Sequence, residues 1–165
     1  MVEFALMKRF FVYLPLLLSM TMLAPGQDSK PDFSGKWIFN VQKSALQIPA
    51  PSSMTLQIDQ HDPHVHLIRV QVYGDKSDTW TLDAATDDQR EIVQQSPLYV
   101  SRSRLYWYGN SLILDEKIVA GDGSKATNIV KYSLDTDGKT LVALETEKTK
   151  VSRTTNKWVY DKQTQ

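Results

Sequence analysis

The sequence contains no cysteine, which excludes disulfides, thiolate nucleophiles, structural zinc of the Cys type and a lipid-modified N-terminal cysteine. It also lacks a charge excess, since 19 Lys and Arg balance 19 Asp and Glu. Without a basic footprint, neither nucleic acid nor an anionic membrane is an expected partner. Glycine and proline are sparse, at seven each in 165 residues, and no internal repeat or low-complexity segment stands out. Catalytic signatures are missing too: there is no Gly-x-Ser-x-Gly elbow, no phosphate-binding glycine loop and no Rossmann fingerprint. No catalytic residue, enzyme activity or cofactor is therefore expected. What is present is 41% apolar and 10% aromatic residues, enough to bury the core of one domain.

Residues 1–26 read as an export signal. Lys8 and Arg9 precede the apolar run Phe10 to Leu23, and Ala24-Pro25-Gly26 puts small residues at the −3 and −1 positions of a cleavage site. That run is 14 residues long, interrupted by Pro15, Ser19 and Thr21, whereas a spanning helix needs about 20. The expectation is a cleaved signal and a single domain over 27–165, periplasmic or secreted, with no stable membrane span after processing. Its formal charge would be −1 once Glu3, Lys8 and Arg9 are gone. An exported fold without disulfides must be held by its core, which favours a closed architecture.

The remaining chain reads as strands almost throughout. Ten segments rich in Val, Ile, Thr, Tyr and Trp lie between turn signals: Lys36 to Val41, Met54 to Gln60, His64 to Tyr73, Thr79 to Asp83, Arg90 to Gln94, Tyr99 to Tyr108, Ser111 to Val119, Thr127 to Leu134, Leu141 to Thr149 and Thr154 to Asp161. The punctuation is short, as at Gly74-Asp75, Gly109-Asn110 and Asp137-Gly138. Ala84 to Gln95 is the weak place, where Asp87-Asp88-Gln89-Arg90 could instead start a helical turn. Met54, Leu56 and Ile58 alternate with Thr55, Gln57 and Asp59, as do Trp37, Phe39 and Val41 with their neighbours, so these strands have one face inward. The expected fold is all-β, an antiparallel meander closed into a barrel of about eight to ten strands, with room for one small ligand. Leu105 to Tyr108 and Leu112 to Leu114 are apolar on both faces, which points to extra covering, a barrel end or a contact surface.

Asp32-Phe33-Ser34-Gly35-Lys36-Trp37 resembles the opening of the calycin superfamily, the lipocalins and fatty-acid-binding proteins, whose Gly-x-Trp starts the first strand. The resemblance implies that Trp37 plugs the closed barrel end, with Gly35 permitting the close approach and Trp158 nearby on the last strand. Trp158-Val159-Tyr160-Asp161-Lys162 is similar to the closing strand of the fatty-acid-binding group, which ends in Arg-x-Tyr-acid-Lys. Lys43-Ser44 and Pro49-Ala50-Pro51-Ser52-Ser53 extend a likeness to exported lipocalin-like proteins of bacteria. Two departures stand out. Trp158 replaces the Arg that anchors a carboxylate in that pattern, leaving Tyr160, and Gln42 to Ser53, with Pro49 and Pro51, is too short for a helix-turn-helix lid.

The implied function is binding of a small apolar ligand inside the barrel. Trp80 and Trp107, Met54, Leu56 and Tyr160 are the candidate ligand-binding residues. The alternative is a structural or protein-interaction barrel without ligand, using the hairpin Leu105 to Leu114. Other constellations are weaker. His61, His64 and His66 have a spacing that metal sites use, but no third strong ligand accompanies them, and no metal is expected. Asp135-Thr136-Asp137-Gly138-Lys139 starts like a calcium loop yet has Lys139 where an oxygen ligand belongs. Arg102 and Arg104 could anchor an acidic head if inward, but are expected outside because unpaired buried guanidinium groups cost several kcal/mol. Glu145 and Glu147 are expected outside for the same reason.

Overall fold

The computed structural model describes residues 30–164, and the expected export signal lies outside them. Ten strands form a single sheet: β1 (Gly35–Phe39), β2 (Ser53–His61), β3 (His64–Tyr73), β4 (Lys76–Ala85), β5 (Ile92–Gln95), β6 (Tyr99–Tyr108), β7 (Ser111–Ala120), β8 (Lys125–Leu134), β9 (Thr140–Thr149) and β10 (Arg153–Lys162). There is no helix among the described residues. Turn chemistry explains the spacing. Gly109-Asn110 joins β6 to β7, and Gly109 adopts φ 58°, the left-handed conformation that two-residue hairpin turns require. Period-two burial explains the faces: β2 buries Met54, Leu56 and Ile58, whereas Gln57 and Asp59 between them face solvent.

The sheet order is β4-β3-β2-β1-β10-β9-β8-β7-β6-β5. Sequence neighbours pair antiparallel, and the two ends of the chain meet where β1 pairs with β10, Trp37 opposite Lys162 and Phe39 opposite Tyr160. The ring is therefore a nearly closed barrel with one seam, between β4 and β5. Two contacts bridge it: the Gln94 amide donates to the Thr81 carbonyl at 2.7 Å, and Asp87 pairs with Tyr106. Asp88, at φ 56°, breaks the edge strand between Asp87 and β5. Asp is among the few side chains that tolerate this conformation. That break lies inside the stretch where the strand pattern was weakest, and the chain beside it forms no helical turn.

One barrel end is packed solid. Phe33 and Trp37 are fully buried there, with Leu56, Ile58, Leu67, Leu82, Leu105, Leu112 and Leu141 in the same core. The Trp37 indole N–H donates to the Phe33 carbonyl at 2.9 Å, fixing the incoming segment across the base. Phe33 also packs on Trp107, ring centroids 5.8 Å apart. Gly35, at φ 135°, lets β1 start beneath the Lys162 side chain, where a Cβ would lie 2.9 Å from Cε. Among the described residues no helical lid covers the other end. The β1–β2 connection instead runs extended beside β10, with Ala45 bridging Lys157 and Gln47 exchanging hydrogen bonds with Asn156 and Thr155.

Candidate functional site

The solid core stops about halfway along several inward faces. On β7 the inward series Leu112, Leu114 continues into Glu116; on β6, Leu105 is preceded by Ser103 and Ser101; on β9, Leu141 and Ala143 lead to Glu145. Ser101, Glu116 and Glu145 meet Arg69 and Trp80 of β3 and β4 around a cavity of about 200 Å³, completed by Asn128, Tyr132, Tyr99 and apolar Leu114, Ile118 and Val130. In the sheet order β3 and β4 stand across the barrel from β7, β8 and β9. One wall is thus acidic and the facing wall carries a guanidinium on an indole.

The acidic wall is held by neutral donors. Glu116, only 8% exposed, accepts from the Ser103 hydroxyl at 3.2 Å and the Asn128 amide at 3.0 Å. Burial pushes its pKa upward, against the opposing pull of those two hydrogen bonds and of Arg69. Glu145 accepts at one oxygen from Asn156 (3.1 Å) and the Trp158 indole (2.8 Å). Burial keeps the Tyr132 phenol protonated far above its ordinary range. Across the cavity, the Arg69 guanidinium stacks over Trp80 at 5.3 Å. It makes no ion pair among the described residues.

Four buried side-chain polar atoms in the described residues have no hydrogen-bond partner, and three of them line this one cavity: Arg69 Nε, Ser101 Oγ and Asn128 Oδ1. A buried polar group without a partner costs about 1–3 kcal/mol. Three in the wall of one partly open cavity mark a place where something else can supply the partners. Ile118 also lines a second, larger space of about 760 Å³ toward the open end, with Ala120, Ala126 and Val151 on its apolar side. A polar inner chamber therefore adjoins an apolar mouth.

The expected site residues separate in the structure. Trp80 lines the chamber, whereas Trp107 sits at the packed end against Phe33, under the Lys30 ammonium. Met54 and Leu56 are buried in the core, and the Tyr160 hydroxyl meets the Met54 sulfur at 3.8 Å. Trp37 is fully buried at the base, while Trp158 packs on Phe39 and reaches Glu145, near the chamber. Glu145 faces inward, contrary to expectation, because Asn156 and Trp158 supply the donors that make a buried carboxylate tolerable. Arg102 and Arg104 point outward, pairing with Glu91 at 2.8 Å and Asp88 at 3.4 Å. The three histidines lie on the outer side of β2 and β3, where His61 approaches Asp59 at 3.1 Å and His66 meets Asp83. Among the described residues no group of three or more potential ligands could hold a metal ion.

Against known proteins, the barrel superposes on two secretory abundant heat soluble proteins of Ramazzottius varieornatus. One matches with TM-score 0.54 and 15% identity over 79% of this chain and 94% of that one. The other matches with TM-score 0.52 and 16% identity over 82% and 97%. Lipid binding protein 8 of Caenorhabditis elegans matches with TM-score 0.51 and 12% identity over 79% and 95%. The chain has the lipocalin/fatty-acid-binding barrel fold. No protein-family model and no curated protein matches the sequence, so at these identities the calycin likeness is one of architecture.

Proposed function

We propose that this protein is an exported carrier or receptor that holds one small ligand inside its barrel, polar end inward. The observation that carries the reading is that Arg69, Ser101 and Asn128, each with a buried side-chain atom that lacks a hydrogen-bond partner, line one chamber. Ligand sites combine mostly apolar walls with a few placed polar groups, and the chamber with its apolar mouth has that composition. A lipid-binding protein with the same fold lends support. Export is supported by the basic start, apolar run and small residues of 1–26, and places the protein in the periplasm or outside the cell. The role is binding rather than catalysis: the chamber carboxylates are engaged by Ser103, Asn128, Asn156 and Trp158, and the histidines lie elsewhere.

Size bounds the ligand. Drug-sized ligands occupy pockets of roughly 300–1,000 Å³, so a chamber of about 200 Å³ takes a head group, with any longer apolar part in the mouth. Tryptophan-fluorescence titration against fatty acids, retinoids and other amphipathic compounds tests this. Saturable quenching that weakens in Trp80→Ala and persists in Trp107→Ala is the expected result. Failure across the panel, with self-association that is lost on mutating the Leu105 to Leu114 hairpin, would favour an interaction module instead.

A further inference from the structure

The two walls of the chamber ask for opposite things. Arg69 Nε is a donor without an acceptor, and Ser101 can also donate; Asn128 Oδ1 is an acceptor without a donor. The orientation of Asn128 is set by its neighbour, because its amide nitrogen donates to Glu116 Oε2 at 3.0 Å and its oxygen is left without a donor. The charges are unequal: two carboxylates, Glu116 and Glu145, face one guanidinium. A carboxylate head drawn to Arg69 would enter beside two like charges, and like charges in a partly desolvated space repel strongly. An ammonium head would balance the two acids but leave Arg69 Nε without an acceptor and give Asn128 Oδ1 and Arg69 no common partner.

Resting on the binding role proposed above, we infer that the chamber selects a head group without net charge that carries an acceptor oxygen and an N–H donor side by side, of the primary-amide type. The carbonyl accepts from Arg69 and Ser101, and the N–H donates to Asn128 Oδ1. A group of this type offers each of the three residues the kind of partner its unpaired atom lacks. The apolar remainder leaves past Ile118, which lines both the chamber and the mouth. The class is set apart from a fatty acid by charge rather than by chain.

A matched series separates these possibilities: octanamide, octanoic acid and octylamine, titrated calorimetrically and by tryptophan fluorescence. Octanamide is expected to bind at least tenfold more tightly than either charged analogue. Asn128→Leu should reduce the amide-over-acid preference to less than threefold, and Ser101→Ala, which removes only an unbonded hydroxyl, should weaken octanamide in the same direction without loss of fold by circular dichroism. Equal affinities, a preference for octanoic acid, or a preference unmoved in folded Ser101→Ala overturns the amide-type head while leaving interior binding in place. Absence of saturable binding by all three, with no ligand carried through purification, overturns the binding role and this inference with it.

Discussion

Replacing Trp37 by Ala removes the side chain on which the packed barrel end is built. Trp37 is fully buried, donates its indole N–H to Phe33 and lies under the Lys162 ammonium at 5.1 Å. A buried aromatic of this size hides about 150–250 Å², which at roughly 25 cal/mol per Å² is about 4–6 kcal/mol of transfer free energy. Large-to-small aromatic truncations in cores cost about 3–5 kcal/mol, and the Phe33 carbonyl loses its donor besides. Against a total stability of about 5–15 kcal/mol, Trp37→Ala should sit at the margin of folding. Urea unfolding followed by far-ultraviolet circular dichroism measures the difference. Trp37→Phe gives a milder second point, expected at about 1–2 kcal/mol from loss of the indole hydrogen bond and part of the ring. Trp107→Ala, half-buried at the edge of the same cluster, should cost less than Trp37→Ala. A Trp37→Ala loss below about 0.5 kcal/mol, the range of ordinary surface substitutions, would refute the view that this residue anchors the closed end.

The remaining expectations concern the chamber and the strand entry. Burial raises the Glu116 pKa above the ordinary glutamate value of 4.5, so its contribution to stability is fully present below 4.5 and lost as pH rises through the folded value; Glu116→Gln should flatten the stability–pH curve over that window, measured as urea midpoints at pH 4.5 and 7. The Asp161 carboxyl, held down by hydrogen bonds from Lys43 and Asn40, acts in the opposite sense, its contribution being lost as pH falls below 3.8, so the two windows do not overlap. Gly35→Ala meets both a positive φ and the Lys162 Cε, and should cost about 1–3 kcal/mol. Adding Lys162→Ala should restore only the steric part of that loss, and full restoration would mean that the backbone conformation is not strained. Trp80→Ala removes the indole beneath Arg69 and should lower ligand affinity severalfold with a smaller stability loss than Trp37→Ala, read from parallel titration and thermal melts.

Much of the barrel was legible because its signals are local. Ten strand-like runs correspond to ten strands, since turn residues such as Gly109-Asn110 and period-two patterns such as Met54-Leu56-Ile58 act over a few residues. The closure of β1 on β10 followed from the need to protect edges. The one irregular strand, interrupted at Asp88, was also the one with the weakest pattern. The chamber was harder to see. Alternation separates two faces but does not say which is inside once the residues turn polar, so Ser101, Glu116, Asn128 and Glu145 look like exterior positions. A signal was available: extending the apolar series Leu112-Leu114 to Glu116, Leu141-Ala143 to Glu145 and Leu105 back to Ser101 places all three inside. What alternation could not supply is the set of neutral donors, from other strands, that makes those inward carboxylates tolerable. Trp80 and Trp107 stand on an equal footing in the sequence, and Arg69 gives no sign there of stacking over Trp80 inside the barrel.

The central claim is that the barrel interior is a ligand site, and native mass spectrometry of the protein purified without denaturant tests it most directly. A discrete added mass is expected, carried through purification or restored by octanamide at one equivalent, diminished in Trp80→Ala and Asn128→Leu and retained in Trp107→Ala. A bare polypeptide mass in every preparation, with no saturable addition from any amphipathic compound tested, would contradict it.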